Sequence, residues 1–143
     1  MKRNMARRLF QVSSALVLAM AASVVGGSAA RAQEPSVQVI EMTAKKYEFS
    51  ASPVHIKAGT KVQLKITASD HDHGFKISTT PENAKGGSAP GLIFTSSDDC
   101  VLLKKGETVT VEFLAKTPGT YEFKCCKSCG LGHRGMKGQL VVE

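Results

Sequence analysis

Between residues 125 and 136 the chain reads Cys125-Cys126-Lys127-Ser128-Cys129-Gly130-Leu131-Gly132-His133-Arg134-Gly135-Met136, so that Cys, Cys, His and Met stand at intervals of four, four and three. Thiolate, imidazole and thioether are soft or borderline donors, a set that favours copper over hard cations. Zinc would accept the thiolates and imidazoles but has no use for Met136. Gly130, Gly132 and Gly135 leave the backbone free to curl, so that these side chains can point at one centre. Upstream, Asp70-His71-Asp72-His73-Gly74-Phe75 offers a further imidazole. Four cysteines in an exported chain would by default pair into two disulfides. Three of them within five residues, beside a histidine and a methionine, point to a metal instead.

Together these two stretches, Cys125-x-x-x-Cys129-x-x-x-His133-x-x-Met136 and the segment Asp70 to Phe75, resemble the dinuclear copper (CuA) domain of cytochrome c oxidase subunit II and nitrous oxide reductase. Lys57-Ala58-Gly59-Thr60-Lys61-Val62 and Pro118-Gly119-Thr120-Tyr121 are similar to stretches of cupredoxins generally, the wider fold family. The resemblance implies two copper ions bridged by the sulfurs of Cys125 and Cys129, with His73 and His133 each binding one copper. It further implies Met136 as a weak ligand and the backbone carbonyl of Lys127 as another. The function implied is electron transfer between a redox partner, such as a cytochrome c, and an acceptor, with no substrate chemistry and no catalytic residues. A mononuclear blue-copper site needs one Cys, two His and an axial Met, and Cys129, His73, His133 and Met136 could supply it, which leaves Cys125 idle. Copper handling, in which the same loop passes copper to or from a delivery protein, is the alternative from a different class. Its motives are the extra thiol of Cys126, the nearby His71, and the absence of any tryptophan for an aromatic electron-uptake patch.

Positioning such donors calls for a rigid frame. From Val37 onward short alternating runs are separated by Gly and Pro turns, the habit of an all-β protein. Strands are expected at residues 37–42, 47–49, 54–57, 62–66, 73–77, 92–94, 108–113, 121–124 and 138–142, with Ser78 to Pro90 a surface loop. No helical period of useful length follows the leader. Eight or nine such strands make a Greek-key β-sandwich or barrel, cupredoxin-like by the resemblance, folded as a single domain after a signal peptide.

The leader is residues 1–32: Lys2, Arg3, Arg7 and Arg8 precede an apolar stretch from Leu9 to about Gly26, and Ala30-Arg31-Ala32 offers a small-x-small cleavage site. The reading is a cleaved signal peptide and a domain of residues 33–143, periplasmic or otherwise exported, with no membrane span after cleavage. An uncleaved anchor is the competing one. The leader holds five of the 19 Lys and Arg and none of the 12 Asp and Glu, so the net charge of +7 falls to +2 in residues 33–143. The remaining lysines are scattered along strands, and nucleic-acid binding is set aside.

Several candidates have plainer readings. Cys100 and Cys126, without a role in the family pattern, are either a structural disulfide or free thiols. His71 reads as a solvent-exposed residue, with support of the ligands or competition with them as alternatives. His55 reads as an outward strand residue and Met42 as core.

Overall fold

The computed structural model describes residues 36–143. The signal peptide expected at 1–32 lies outside them. Ten strands form two five-stranded sheets. The first contains β1 (Val37–Lys45), β2 (Glu48–Phe49), β4 (Thr60–Ala68), β6 (Leu92–Phe94) and β8 (Thr108–Ala115) in the order β2-β1-β4-β8-β6. The second contains β3 (Val54–Ile56), β5 (His73–Ile77), β7 (Val101–Leu103), β9 (Gly119–Lys124) and β10 (Lys137–Val142) in the order β3-β10-β9-β5-β7. Each sheet holds one parallel pair, β1 with β4 and β3 with β10, among antiparallel neighbours.

Strand alternation decides which residues the sheets bury. In β4, Val62, Leu64, Ile66 and Ala68 face inward, opposite Val111, Phe113 and Ala115 of β8; β9 and β10 supply Tyr121, Phe123, Leu140 and Val142. Met42 is core and His55 points outward, as the alternation requires. Tyr121 is fully buried, and its hydroxyl donates to the Thr117 carbonyl at 2.6 Å, which satisfies the one polar atom the ring takes inside. Phe49, Phe75 and Phe123 meet with ring centroids 5.4–5.7 Å apart, two of the three contacts edge-on. Complete burial of a side chain of that size contributes about 1.5–3 kcal/mol, so this cluster is a firm floor.

Two features depart from the reading of the sequence. β7 is not among the expected strands: three apolar residues show no alternation, and only pairing with β5, from His73↔Leu103 to Phe75↔Val101, makes them a strand. The loop after β9 also contains one turn of 3-10 helix, His133–Gly135. Ser78 to Pro90 runs as a loop without strand, as expected.

Candidate metal centre

The period of two carries directly into the site. His73 lies two residues before Phe75 on β5, and Cys125 lies two residues after Phe123, just beyond the end of β9. All four side chains are therefore turned inward, and His73 and Cys125 sit on the aromatic floor. His73 has no exposure at all and Cys125 only 4%. The loop leaving β9 returns to the sheet at Lys137, and its closing residue Met136 is fully buried and accepts the Cys125 N–H at its carbonyl.

Within this enclosure the donors converge. The Sγ atoms of Cys125 and Cys129 are 3.6 Å apart and unbridged. Cys129 Sγ lies 3.9 Å from His133 Nδ1 and 4.0 Å from Met136 Sδ, and Cys125 Sγ lies 3.1 Å from the Lys127 carbonyl oxygen. One donor atom each from His73, Cys125 and Cys129 falls within a common 4.8 Å. The structure thus brings together all six positions singled out in the sequence: His73, Cys125, Lys127, Cys129, His133 and Met136.

The tautomer of His73 follows from its neighbours. Nε2 lies 2.7 Å from Asp70 Oδ1, so it carries the proton and donates it to the carboxylate. Nδ1 is left buried, with its lone pair unpartnered. An orphaned buried acceptor is costly unless something fills it, and an imidazole nitrogen beside two thiols and a thioether is suited to a soft metal. The donor set therefore fits copper. Asp70 also accepts the N–H groups of Lys46 and His71, each at 2.8 Å. Burial pushes its carboxyl up, but the hydrogen bond from His73 and those two N–H groups outweigh burial and hold it well below the usual carboxylate range. Asp72 is also lowered, by the Lys105 N–H and then by the Lys127 ammonium, which it ties to the rim of the site. Burial pushes the Cys129 thiol up to about 11, helped by its hydrogen bond with Cys125 and by the negative charge of nearby groups.

Several contributors were not legible beforehand. Gly74 donates its N–H to Cys125 Sγ at 3.5 Å, and a Cβ there would stand 2.7 Å from Cys126 Sγ and 2.7 Å from the Lys127 nitrogen. Tyr47 packs under the ligand loop against Gly130 and Gly132; a Cβ on Gly132 would run into its ring. Gly130 has a positive φ of 121°, whereas Gly135 has open space around it and needs no glycine. Asp70 did carry a signal, a carboxylate three residues before the histidine. His71 is half-buried rather than solvent-exposed: its ring lies 4.2 Å from that of His73, its Nδ1 is 3.0 Å from the Asp72 carbonyl, and its Nε2 is buried without a partner. Cys100 and Cys126 form a disulfide, so the third thiol of the loop is not free.

The chain is similar to several known proteins. A cytochrome c oxidase subunit 2 of Thermus thermophilus is 28% identical over 109 residues, which cover 76% of this chain and 68% of that protein. A second subunit 2 from the same species is also 28% identical, and there the chain spans about half the relative, 55% of its length. Among solved structures, the periplasmic domain of subunit II of cytochrome oxidase of Bradyrhizobium japonicum is 14% identical, with a TM-score of 0.56, over 78% of this chain and 88% of that one. Auracyanin A, a blue copper protein of Chloroflexus aurantiacus, is 21% identical with a TM-score of 0.56, over 76% of this chain and all of that one. These two share the β-sandwich fold. The cupredoxin-like domain family matches residues 14–142, and the chain belongs to that copper-binding family and is related to cytochrome c oxidase subunit II.

Proposed function

We propose that residues 33–143 are an exported electron carrier holding a dinuclear copper centre of the CuA type. In this reading Cys125 and Cys129 bridge through their sulfurs, His73 and His133 bind through imidazole nitrogens, and Met136 and the Lys127 carbonyl are weak ligands. The observation that carries it is the pair of sulfurs 3.6 Å apart, with a ring nitrogen of the buried His73 within 4.8 Å of both. A mononuclear site would leave one of those two sulfurs without use. Copper, when bound there, supplies a one-electron redox couple.

The chain's own residues supply rigidity. Asp70 fixes the tautomer and orientation of His73, and Gly74 holds Cys125 Sγ by its N–H, so the donors are set before any metal arrives. His73, Cys125 and Met136 are closed to water, whereas Cys129 is partly exposed. His133, like Cys129, is a half-exposed donor, and Leu131 between them is fully exposed, so this is the edge at which a partner such as a cytochrome c would approach. The Cys100–Cys126 disulfide supports an oxidising compartment such as the periplasm. Among the described residues no helix is long and apolar enough to cross a membrane.

Copper handling loses one of its motives, because Cys126 is bonded to Cys100 and offers no third thiol. Copper stoichiometry with electron paramagnetic resonance on the copper-loaded protein tests the proposal. Two coppers per chain sharing one unpaired electron is the expected result. One copper with a single-nucleus spectrum would replace it with a mononuclear site. Cuprous copper that passes readily to a chelator of modest affinity would replace it with copper handling.

A further inference from the structure

The Cys100–Cys126 disulfide straddles the site. Cys100 immediately precedes β7, β7 pairs with β5 on the edge of the sheet, and β5 begins at His73. The bond leaves that edge and crosses the face of β5 to reach the ligand loop at Cys126. It passes over Gly74, where Cys126 Sγ occupies the space a side chain would need. Cys126 is joined by peptide bonds to two of the proposed ligands, the Cys125 thiol on one side and the Lys127 carbonyl on the other. The same Gly74 donates its N–H to Cys125 Sγ. One covalent bond therefore clamps the first ligand of the loop against the strand that carries the histidine. Both bridge residues are partly exposed, whereas Cys125 is buried.

We propose that this disulfide is a reducible latch on copper: thiol–disulfide exchange between the Cys100–Cys126 bond and a protein dithiol opens the ligand loop and speeds copper release. The proposal rests on the copper reading of the loop. A thiolate of the dithiol attacks one sulfur of the bridge, the S–S bond breaks, and a mixed disulfide forms with the other protein sulfur leaving as a thiolate. The second thiol of the reductant then displaces the mixed disulfide. The net change is one protein disulfide and one dithiol converted to two protein thiols and one reductant disulfide, with two protons carried to Cys100 and Cys126. No electron is taken from the metal. With the clamp open, Cys125 Sγ is no longer pinned to the Gly74 N–H, and the new Cys126 thiol stands beside it as a competing soft donor.

The test uses the copper-loaded protein, a reduced protein of the C-x-x-C dithiol type, and a strong cuprous chelator. Release to the chelator is timed with the bridge intact, after treatment with the dithiol protein, and in a Cys100→Ser, Cys126→Ser double variant. Alkylation and mass spectrometry locate the thiols. The expected result is release at least tenfold faster in both unbridged forms, Cys100 and Cys126 alkylated before Cys125 and Cys129, and no further effect of the dithiol on the double variant. Circular dichroism checks that variant's fold, and if it is lost the reduced wild-type protein decides. Equal release rates with the bridge closed and open, or earlier alkylation of Cys125 and Cys129, would overturn the latch. A bridged protein that takes up no copper fails differently, because it sinks the copper reading itself.

Discussion

Gly74 is the position where the packing of the site can be probed with a single carbon atom. An alanine Cβ would lie 2.7 Å from Cys126 Sγ, 2.7 Å from the Lys127 nitrogen and 3.1 Å from the Lys127 Cβ, against an ordinary carbon contact of about 3.5–4.0 Å. The neighbours must retreat by nearly an ångström, and neither is the free end of a flexible chain: one is backbone and the other a sulfur tied to Cys100. Overpacking a tight site costs about 1–3 kcal/mol, and the upper part of that range is expected here. For a domain of this size that is a fall in melting temperature of about 10 °C. Because the displaced atoms belong to Cys126, which follows Cys125, and to Lys127, which carries the carbonyl ligand, copper affinity should fall as well. Urea denaturation of the bridged, copper-free protein measures the first effect, and competition with a chelator measures the second. Gly135→Ala is the control, since nothing lies within 4 Å of a Cβ there, and it should stay within about 0.5 kcal/mol of wild type. A Gly74→Ala protein as stable as that control, with unchanged copper affinity, would refute the reasoning.

Asp70→Asn removes the charge that accepts the His73 Nε2 proton and should weaken copper binding about 10- to 100-fold, the usual loss when a ligand's supporting carboxylate is altered; chelator competition checks it. The folded-state pKa of Asp70 is depressed, so its contribution to the copper-free protein is present at neutral pH and disappears as pH falls below the ordinary carboxylate value; the acid limb of the stability curve should flatten in Asp70→Asn. The Cys129 thiol, raised to about 11, must lose its proton to bind metal, so apparent copper affinity should climb about tenfold or more per pH unit between roughly pH 6 and 9. Calorimetry in buffers of different ionisation enthalpy would count the released protons, and a count of zero would exclude thiolate ligation. Cys125→Ser and Cys129→Ser should each abolish a dinuclear spectrum, while Met136→Leu should keep it and shift the reduction potential; a spectrum unchanged in Cys125→Ser would reject the ligand assignment. Tyr121→Phe removes the hydroxyl that donates to the Thr117 carbonyl, which water can then reach, and should cost about 0.5–1.5 kcal/mol in urea denaturation.

Much of the molecule was legible from residue order because the information was local. The alternation in β4, β8 and β10 is a direct image of inside and outside, and that of β1 and β3 marks Met42 as core and His55 as outward without any tertiary knowledge. The donors of the ligand loop lie within twelve residues, so their types and intervals alone argue for a soft metal. The tertiary structure decided what depends on contacts between distant segments. β7 exists because β5 pairs with it, and its three residues carry no pattern of their own. The Cys100–Cys126 bond joins residues 26 apart and required β7 to bring Cys100 beside the loop. Gly74 and Gly132 look like any glycines in sequence; only packing shows that Cys126 Sγ lies over one and the Tyr47 ring against the other. His71 and His73 differ in the same way. The two are two residues apart with identical side chains, and it is the fold that brings the Asp70 carboxylate to 2.7 Å from the ring of His73 but only 3.8 Å from that of His71, fixes the His73 proton on Nε2 and leaves its Nδ1 buried without a partner.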